Sequence, residues 1–377
     1  MRPNIAIIIV DTLRADYATP LYREADRQGW IATTAIAPGT WTLPSTVSLL
    51  TGLYPTQHRV DETDSPAQDA KKVRIAMRVT NYGMLGWLKN EGYHIYVLTA
   101  NPYLTPYFGF SLYDELFFFR AYNVTTEAYH ALTREGSPLK AGLLLLRKGK
   151  VKTLTQAAAK YAIIKLAKHF PQIHSPSPPR DKGHRKIEKK LNEIELKEPY
   201  FLLINLMEAH SPYTKLESWV ELSYLLPQIL DELMCLGRAP KWAQEIWQKA
   251  YPRHAEYAAE IGARIAKKLA DNAIVLITSD HGEMLQEGVF HGLPPNDELA
   301  IVPFVATASV KVEGIVSLTE IPSLIRSYLE GRTPTIGGRM AKTEYRESRK
   351  RHRCAKNRLI IRYYTPERVT MFVNEFR

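Results

Sequence analysis

Three stretches of the sequence place metal-ligand and nucleophile side chains beside apolar runs or helical patterns. Asp11 ends the first apolar run, and the pair Asp280-His281 directly follows another. A carboxylate beside an imidazole is a common ligand pair for divalent cations. Thr42 precedes a helical pattern that begins at Ser45, and a helix N-terminus favours an anion or a negatively charged nucleophile. Together these residues predict a cation site with a hydroxyl beside it.

Two further histidines extend this group. His210 follows Glu208 after a third apolar run, and His291 lies in a predicted loop ten residues after His281. Because imidazole changes its charge near neutral pH, His210 could orient an anionic substrate or protonate a leaving group. Each residue alone also has a structural explanation, since Asp11 can cap the helix that follows it and His210 can bond to the backbone. Their joint occurrence at three strand ends and one helix start is what indicates chemistry.

The elements that would position these residues alternate between strands and helices. Apolar runs typical of buried parallel strands lie at 5–10, 93–99, 200–207, 273–278 and 301–307. Helical patterns lie between them, at 45–53, 81–91 and 255–270. The alternation predicts an α/β fold with a doubly wound, mostly parallel central sheet flanked by helices. In such a sheet ligands bind outside the carboxyl ends of the strands, where Asp11 and Asp280 are expected.

Charge and composition divide the chain into a predicted catalytic domain at 1–335 and a small C-terminal subdomain at 336–377. The formal charge of the 377 residues is +11, but residues 140–190 alone carry 14 Lys and Arg against two acidic residues. This segment belongs to a helical, basic insertion predicted at 118–198. The C-terminal subdomain is predicted to be antiparallel. Two strands are expected there, at 359–364 and 369–373.

The sequence also carries expectations about location and partners. No run of about 18 apolar residues occurs, so no membrane-spanning helix is expected, and no secretory leader is recognised before Asp11. Cys235 and Cys354 cannot form a disulfide framework, and a cytoplasmic location is therefore predicted. The basic segment 140–190 favours peripheral contact with an anionic membrane face or with a polyanion. Because no nucleic-acid-binding motif is recognised, no specific nucleic acid is expected.

Several segments resemble those of the alkaline phosphatase superfamily, in the order expected for its sulfatase-like branch. RPNIAIIIVDTLRADY resembles the opening strand with its metal-binding Asp, and TLPSTVSLLTGLYPTQH resembles the nucleophile signature. Four later segments are also similar: ANPYLTPYFGF, FLLINLMEAHSPY, ITSDHGEMLQEG and VFHGLPPNDELAIVPF. The resemblance covers roughly 1–115 and 198–325. It implies an alkaline phosphatase-like fold, and the C-terminal strands are compatible with the small second sheet of the family.

The resemblance implies a metal site. Asp11, Asp280 and His281 would bind one divalent cation together with the oxygen of Thr42. Zn²⁺ and Mn²⁺ suit the imidazole, whereas Mg²⁺ and Ca²⁺ prefer oxygen ligands, so the identity of the ion stays open.

The resemblance also implies roles around an anionic ester substrate. Thr42 would attack the ester and form a covalent intermediate. His210 and His291 would contact the anionic group of the substrate or join a second metal, and one of them would protonate the leaving group. Asn101 falls near the substrate-contacting polar position of the family.

Three departures from the family pattern bear on the substrate. Sulfatases convert a Cys or Ser at the nucleophile position to formylglycine, and Thr42 cannot undergo this conversion. Thr46 stands where an Arg is usual, and Thr12 stands where a second Asp is usual. These departures favour phosphate esters, phosphodiesters or phosphonates over sulfate esters.

Three functions therefore remain open from the sequence. The first is a metal-dependent hydrolase of phosphate or sulfate esters. The second is a transferase on the same scaffold that passes the phosphoryl-linked group to an alcohol acceptor. The third, of a different class, is a basic protein that binds nucleic acid or a membrane surface.

Overall fold

A computed structural model describes residues 2–61, 66–119, 137–167, 178–211, 241–285, 291–347 and 356–375, together with residues 131, 135 and 213. The strands found in these residues are β1 Ile5–Val10, β2 Ile31–Ile36, β3 His94–Thr99, β4 Glu115–Phe118, β5 Tyr200–Leu206, β6 Ile274–Thr278, β7 Ile301–Ala306, β8 Lys311–Val312, β9 Val316–Ser317, β10 Thr335–Ile336, β11 Ala341–Glu347, β12 Arg358–Tyr364 and β13 Val369–Glu375.

Eight of these strands form a central sheet in the order β4-β3-β5-β1-β6-β7-β2-β9. β1 lies between β5 and β6 and is parallel to both, with Ile8 opposite Ile204 on one side and Ile277 on the other. β7 runs antiparallel to its neighbours β6 and β2. The predicted mostly parallel sheet is confirmed, and β7 is its antiparallel member.

Helices cover both faces of this sheet. They are α1 Thr19–Gln28, α2 Thr42–Thr51, α3 Pro55–His58, α4 Pro66–Val79, α5 Met84–Asn90, α6 Pro138–Arg147, α7 Val151–Ala167, α8 His184–Glu193, α9 Lys241–Ala270, α10 Asp297–Ala300 and α11 Ile321–Leu329. Side chains of β1 alternate between the two layers, because successive residues of a strand point to opposite faces. Ala6, Ile8 and Val10 pack with α1 and α9, whereas Ile5, Ile7 and Ile9 pack with α2, α4, α5 and α11.

The helix boundaries differ from those expected at three places. α2 begins at Thr42 rather than at Ser45, because the extended backbone of Trp41 (φ −159°) forms its N-cap. α5 is shorter than the pattern at 81–91, since Asn81 and Tyr82 have positive φ values of 49° and 58°. The pattern at 255–270 is the second half of the 30-residue helix α9.

None of the helices in the described part of the chain is long and apolar enough to cross a bilayer. Cys235, Cys354 and parts of the predicted insertion at 118–198, among them residues 120–130 and 168–177, lie outside the described residues.

The C-terminal sheet contains three antiparallel strands in the order β11-β12-β13, where two strands were expected. β11 was missed because its sequence, AKTEYRE, is polar. Glu344 in this strand is nevertheless 1 % exposed. It accepts hydrogen bonds from the backbone N–H of Thr56 (2.7 Å) and from the Thr56 hydroxyl (3.0 Å). The ammonium group of Lys342 also pairs with this carboxylate, which makes burial of the charge tolerable. The contact with Thr56 is long-range, and no pattern within 341–347 reveals it.

Candidate active site

The predicted metal ligands meet at one edge of the central sheet. Asp11 directly follows β1, and Asp280 and His281 follow the neighbouring strand β6. The backbone N–H of Asp11 donates to the carbonyl of Leu206 (2.9 Å), so the loop after β1 continues the strand register beyond Val10. Because parallel strands end on the same side, the 268 residues between Asp11 and Asp280 in the sequence do not separate these side chains in space.

Four ligand-type atoms converge at this edge. The Nε2 atom of His281 lies 3.8 Å from Oδ1 of Asp11 and 3.6 Å from Oδ2 of Asp280. The same Nε2 lies 3.4 Å from Oγ1 of Thr42. Asp11, Asp280 and His281 are completely buried, and Thr42 is 2 % exposed. The structure thus brings together the four residues that the sequence predicted as a metal site.

Hydrogen bonds to the protein leave one atom of each ligand directed to this centre. Nδ1 of His281 donates to the carbonyl of Gly282 (2.9 Å), which leaves the lone pair on Nε2. Oδ2 of Asp11 accepts from Asn101 (2.6 Å), and Oδ1 has no hydrogen-bond partner.

Asp280 is held in the same way. Its Oδ1 accepts from the backbone N–H of His281 (3.1 Å) and of Thr12 (3.5 Å), while its Oδ2 has no hydrogen-bond partner. Two orphaned carboxylate oxygens beside a neutral imidazole nitrogen are a donor set that fits a divalent cation.

The pKa values of the three side chains also favour a cation site. Burial and the nearby charge of Asp280 raise the pKa of Asp11 to about 8. Burial also raises the pKa of Asp280 to about 7, and it lowers the pKa of His281. Two carboxyl groups are therefore held in low dielectric without a countercharge. A cation bound between them would supply that charge and favour their ionised forms.

Thr42 is the first residue of α2. Its position differs slightly from the expectation that it would precede the helix, but the N-terminal dipole still acts on its hydroxyl. The helix is fixed against the metal-ligand loop, because the hydroxyl of Ser45 donates to the backbone carbonyl of Asp280. Ser279 connects the loops after β6 and β1, since its hydroxyl donates to the carbonyl of His281 (2.6 Å) and accepts from the backbone N–H of Leu13 (2.9 Å).

His210 and His291 join the same group through ring contacts. The ring centroids of His291 and His281 are 4.7 Å apart, and those of His291 and His210 are 4.8 Å apart. Nδ1 of His210 lies 2.6 Å from the carbonyl of Ser211. Burial, with the charge of the neighbouring imidazole, holds the pKa of both His210 and His291 well below the usual range. The three imidazoles therefore form a row that begins at the predicted metal site.

Asn101 is buried beside Asp11. Its amide donates to the Asp11 carboxylate, so it positions a predicted metal ligand. Its expected contact with the substrate stays a prediction.

Glu283 is a site residue for which no role was predicted from the sequence. Its side chain is completely buried, and Oε1 lies 3.4 Å from Nδ1 of His291. The hydroxyl of Tyr213 donates to Oε2 (3.0 Å). Burial raises the pKa of Glu283 to about 8. The only signal in the sequence is that Glu283 follows His281 by two residues, and this does not reveal its contact with His291.

A second group of ligand-type side chains, Asp181, His184 and Glu208, occurs among the described residues. Here the carboxylates already accept backbone donors at the start of α8. Oε1 of Glu208 accepts from the N–H groups of Lys182 (2.9 Å) and His184 (3.0 Å). Asp181 accepts from the N–H of Gly183 (2.8 Å). These bonds are those of a helix cap, and they tie α8 to the end of β5.

A cavity of about 410 Å³ begins near Thr42, at Trp41 and Pro44. Its far wall is formed by the C-terminal sheet, through Tyr345 and Leu359. Residues of both charges line it, and the cations of Lys72 and Arg346 both pair with the carboxylate of Asp61. The small sheet therefore contributes to the surroundings of the site.

The sequence and the fold of this chain are similar to those of known proteins. Residues 3–311 match the family model described as Sulfatase. The phosphonate monoester hydrolase of Agrobacterium radiobacter is 17 % identical with a TM-score of 0.54, over 99 % of this chain and 89 % of that one. A 2-O GAG sulfatase is 13 % identical with a TM-score of 0.56, over 100 % and 83 %.

The C-terminal periplasmic domain of EptC from Escherichia coli, in a complex with Zn, is 13 % identical with a TM-score of 0.50, over 88 % of this chain and 83 % of that one. No curated protein matches the sequence. At these identities the likenesses to solved structures concern the fold, and they confirm the predicted alkaline phosphatase-like architecture.

Proposed function

Because the chain belongs to the sulfatase family, we propose that it is a metal-dependent enzyme that cleaves phosphate or phosphonate esters through Thr42. The observation that carries this proposal is the convergence of Thr42 Oγ1 and His281 Nε2 with the orphaned oxygens of Asp11 and Asp280. A hydroxyl at a helix start, directly beside a set of cation ligands, is the arrangement that nucleophilic attack on an anionic ester requires.

The residues that would hold the ion are Asp11, Asp280 and His281, with the Thr42 oxygen as the fourth ligand. A divalent cation bound there would lower the pKa of the Thr42 hydroxyl and neutralise charge on the ester oxygens. One imidazole and two carboxylates suit Zn²⁺ or Mn²⁺ better than Ca²⁺ or Mg²⁺. A single ion is proposed, because Glu208, His210 and His291 do not form a second ligand group among the described residues.

The chain's own groups divide the proposed reaction between them. Thr42 loses its hydroxyl proton to water, Oγ1 forms a bond to phosphorus, and the bond from phosphorus to the leaving oxygen breaks. Nδ1 of His291 and of His210 is engaged with the protein. The leaving oxygen takes a proton from one of these imidazoles in its protonated form, which the negative charge of a bound ester favours. Water, deprotonated by the same imidazole, then attacks phosphorus and releases Thr42. The N-terminal dipole of α2 stabilises negative charge on Oγ1 throughout.

Phosphorus esters are favoured over sulfate esters by three threonines. Thr42 cannot become formylglycine. Thr12 and Thr46, at positions where the family usually has Asp and Arg, are buried with hydroxyls that lack a hydrogen-bond partner. The site thus lacks an Asp and an Arg that the family pattern provides for binding the metal ion and a sulfate ester.

A transferase is the second candidate on this scaffold. The first half of the reaction is the same, and an acceptor alcohol would replace water in the second half. The cytoplasmic location expected from the cysteine count stays a prediction.

The proposal is tested by trapping the covalent intermediate. Purified protein is incubated with Zn²⁺ or Mn²⁺ and a p-nitrophenyl phosphonate or phosphodiester, quenched in acid and digested, and the adduct is located by mass spectrometry. We expect the adduct on the peptide that contains Thr42, and its absence from Thr42→Ala. Thr51→Ala, which removes a hydroxyl from the other end of α2, is the control and should still form it.

Turnover without an adduct on Thr42, or an adduct on another residue, would overturn the assignment. Adding glycerol or ethanolamine separates the two candidates: a transferase releases an alcohol ester, and a hydrolase releases the free phosphonate or phosphate monoester.

A further inference from the structure

Helix α6 exposes a stripe of leucines. Leu139, Leu143 and Leu146 have exposed fractions of 77 %, 50 % and 53 %. Their spacing of four and three residues places them within about 60° of one another around a helix of 3.6 residues per turn. Val151, the first residue of α7, is also 53 % exposed. Soluble surfaces rarely present such a row of apolar side chains without a partner.

The opposite face of α6 is already packed. Ala141 and Leu145 are buried in a small cluster with Ala131, and Leu154 of α7 packs against it. The contact is close, because a Cβ added to Gly142 would lie 3.3 Å from Cδ1 of Leu154. The buried face therefore fixes the orientation of α6, and the exposed leucines belong to a different surface.

The segment that carries the stripe is rich in cationic residues. Residues 137–167 contain seven Lys and Arg and no Asp or Glu. Lys148 and Lys150 flank Gly149, whose φ of 67° makes the tight turn between α6 and α7. Arg147 and Lys152 continue the charge on either side of this turn. We call residues 137–152, with these leucines and cations, the basic hairpin.

We propose that the basic hairpin binds the surface of an anionic lipid bilayer. The leucines would enter the boundary between headgroups and acyl chains, while the lysines and arginine contact lipid phosphates. A nucleic acid would satisfy the cations but would leave the leucine stripe exposed to water, so the combination favours a lipid surface. This inference concerns a surface outside the candidate active site, and it does not depend on the proposed reaction.

The test is co-sedimentation of the full chain with vesicles of phosphatidylcholine, alone or with one third phosphatidylglycerol, at low and high salt. We expect binding to the anionic vesicles at low salt, and weaker binding at high salt or without phosphatidylglycerol. The double substitution Leu143→Glu with Leu146→Glu should weaken binding by roughly tenfold or more, because it places charge where apolar contact is needed. The milder pair Leu143→Ala with Leu146→Ala should weaken it less.

Met371→Glu is the matched control, since Met371 is an apolar side chain of β13 that is 60 % exposed. This variant should bind vesicles as the unsubstituted protein does. Circular dichroism of each variant establishes that it is folded.

Equal sedimentation of the leucine variants and the control would overturn the proposal. So would binding to duplex DNA with no binding to vesicles. Self-association that the leucine substitutions abolish, again without vesicle binding, would assign the stripe to a second copy of the chain instead.

Discussion

The hydroxyl oxygen of Thr42 lies 3.4 Å from Nε2 of His281, although 239 residues separate the two positions in the sequence. The start of α2 and the end of β6 are joined here by a further bond, from the Ser45 hydroxyl to the carbonyl of Asp280. The proposed nucleophile at a helix start and a proposed metal ligand after a buried strand are thus held by two rigid elements. Such placement keeps the reacting groups in position without the entropic cost of ordering a loop.

Removal of the Thr42 hydroxyl should abolish turnover. Thr42→Ala and the isosteric Thr42→Val should lower kcat/KM for a p-nitrophenyl phosphodiester by at least ~10³-fold, because no other hydroxyl takes the place of the nucleophile. Thr42→Ser keeps the oxygen and should retain activity within roughly 100-fold of the unsubstituted protein. Steady-state kinetics at fixed Zn²⁺ or Mn²⁺ measures this, and equal activity of the Val and Ser variants would contradict it.

The four residues of the predicted metal site could be found from the sequence because each lies next to a regular element. The strand before Asp11 and the strand before Asp280 are continuous apolar runs, and their parallel pairing places the residues that follow them side by side. The start of α2 was recognisable from Pro44 in its first turn. A local sequence pattern is enough here, because residues that follow neighbouring parallel strands lie at the same edge of the sheet.

Other parts of the site could not be found in this way. Glu283 contacts His291 from within the loop after β6, and Tyr213 completes the pair from the segment after β5. Strand β11 is polar and is stabilised by the bond between Glu344 and Thr56. In each case a buried charge depends on a distant partner, and a periodic pattern carries no information about such partners.

The proposed metal ligands make a separate prediction about stability. Addition of Zn²⁺ or Mn²⁺ to chelator-treated protein should raise its free energy of unfolding, by about 2.7 kcal/mol at roughly 100 times the dissociation constant. Asp11→Asn and Asp280→Asn remain close in shape but lose one negative charge each, and their melting temperatures should not respond to the ion. Asp181→Asn is the control, because Asp181 belongs to the helix cap, and this variant should respond as the unsubstituted protein does. A response of the Asp11 variant equal to that of the control would refute the assignment.

Glu283 should matter most when the leaving group is poor. Its carboxylate holds Nδ1 of His291, so Glu283→Gln should weaken proton donation to the leaving oxygen. We expect a loss of about 10²-fold with an alkyl leaving group and of less than about 10-fold with p-nitrophenol, which departs without a proton. Comparison of the two kcat values gives the ratio.

The matched control is Glu208→Gln, another completely buried acid. Because Glu208 caps α8, this substitution should lower stability while leaving the ratio of the two substrates unchanged. If Glu283→Gln slows both substrates equally, the carboxylate supports the fold and does not position His291.

His58 should make the stability of the protein depend on pH. Its Nδ1 accepts a hydrogen bond from the N–H of Val60 (3.1 Å), so its Nε2 carries the proton and donates to the hydroxyl of Ser48 (2.8 Å). Burial lowers the pKa of this imidazole from 6.5 to about 4. The unfolded chain therefore binds a proton between pH 6.5 and 4 that the folded chain does not. Stability is complete above pH 6.5 and falls with pH, by about 3 kcal/mol at pH 4.

The contribution of His58 is isolated by subtraction. Urea unfolding of the unsubstituted protein and of His58→Asn, whose Oδ1 can still accept from Val60, should give curves that approach each other as the pH falls from 6.5 to 4. The pH dependence of the other buried histidines cancels in this difference. His94→Asn, at a histidine whose side chain is 39 % exposed, should show no such convergence. A constant difference for the His58 variant would show that its imidazole does not oppose protonation.

Gly282 should be irreplaceable because of space and not because of its backbone angles. A Cβ at this position would overlap the backbone carbonyl of Glu298 and lie 3.0 Å from Cγ of Arg14. The N–H of Gly282 also donates to the carbonyl of Leu299 (2.9 Å), so the backbone cannot move aside without losing this bond. Gly282→Ala must therefore displace the segment that carries His281, and we expect a loss of roughly 1–3 kcal/mol of stability together with weaker metal binding.

Gly338→Ala is the control, because a Cβ at that position meets no atom within 4 Å. It should change neither the stability nor the metal binding. Thermal unfolding with and without Zn²⁺ measures both, and an unaltered metal response in Gly282→Ala would mean that the loop tolerates the shift without moving His281.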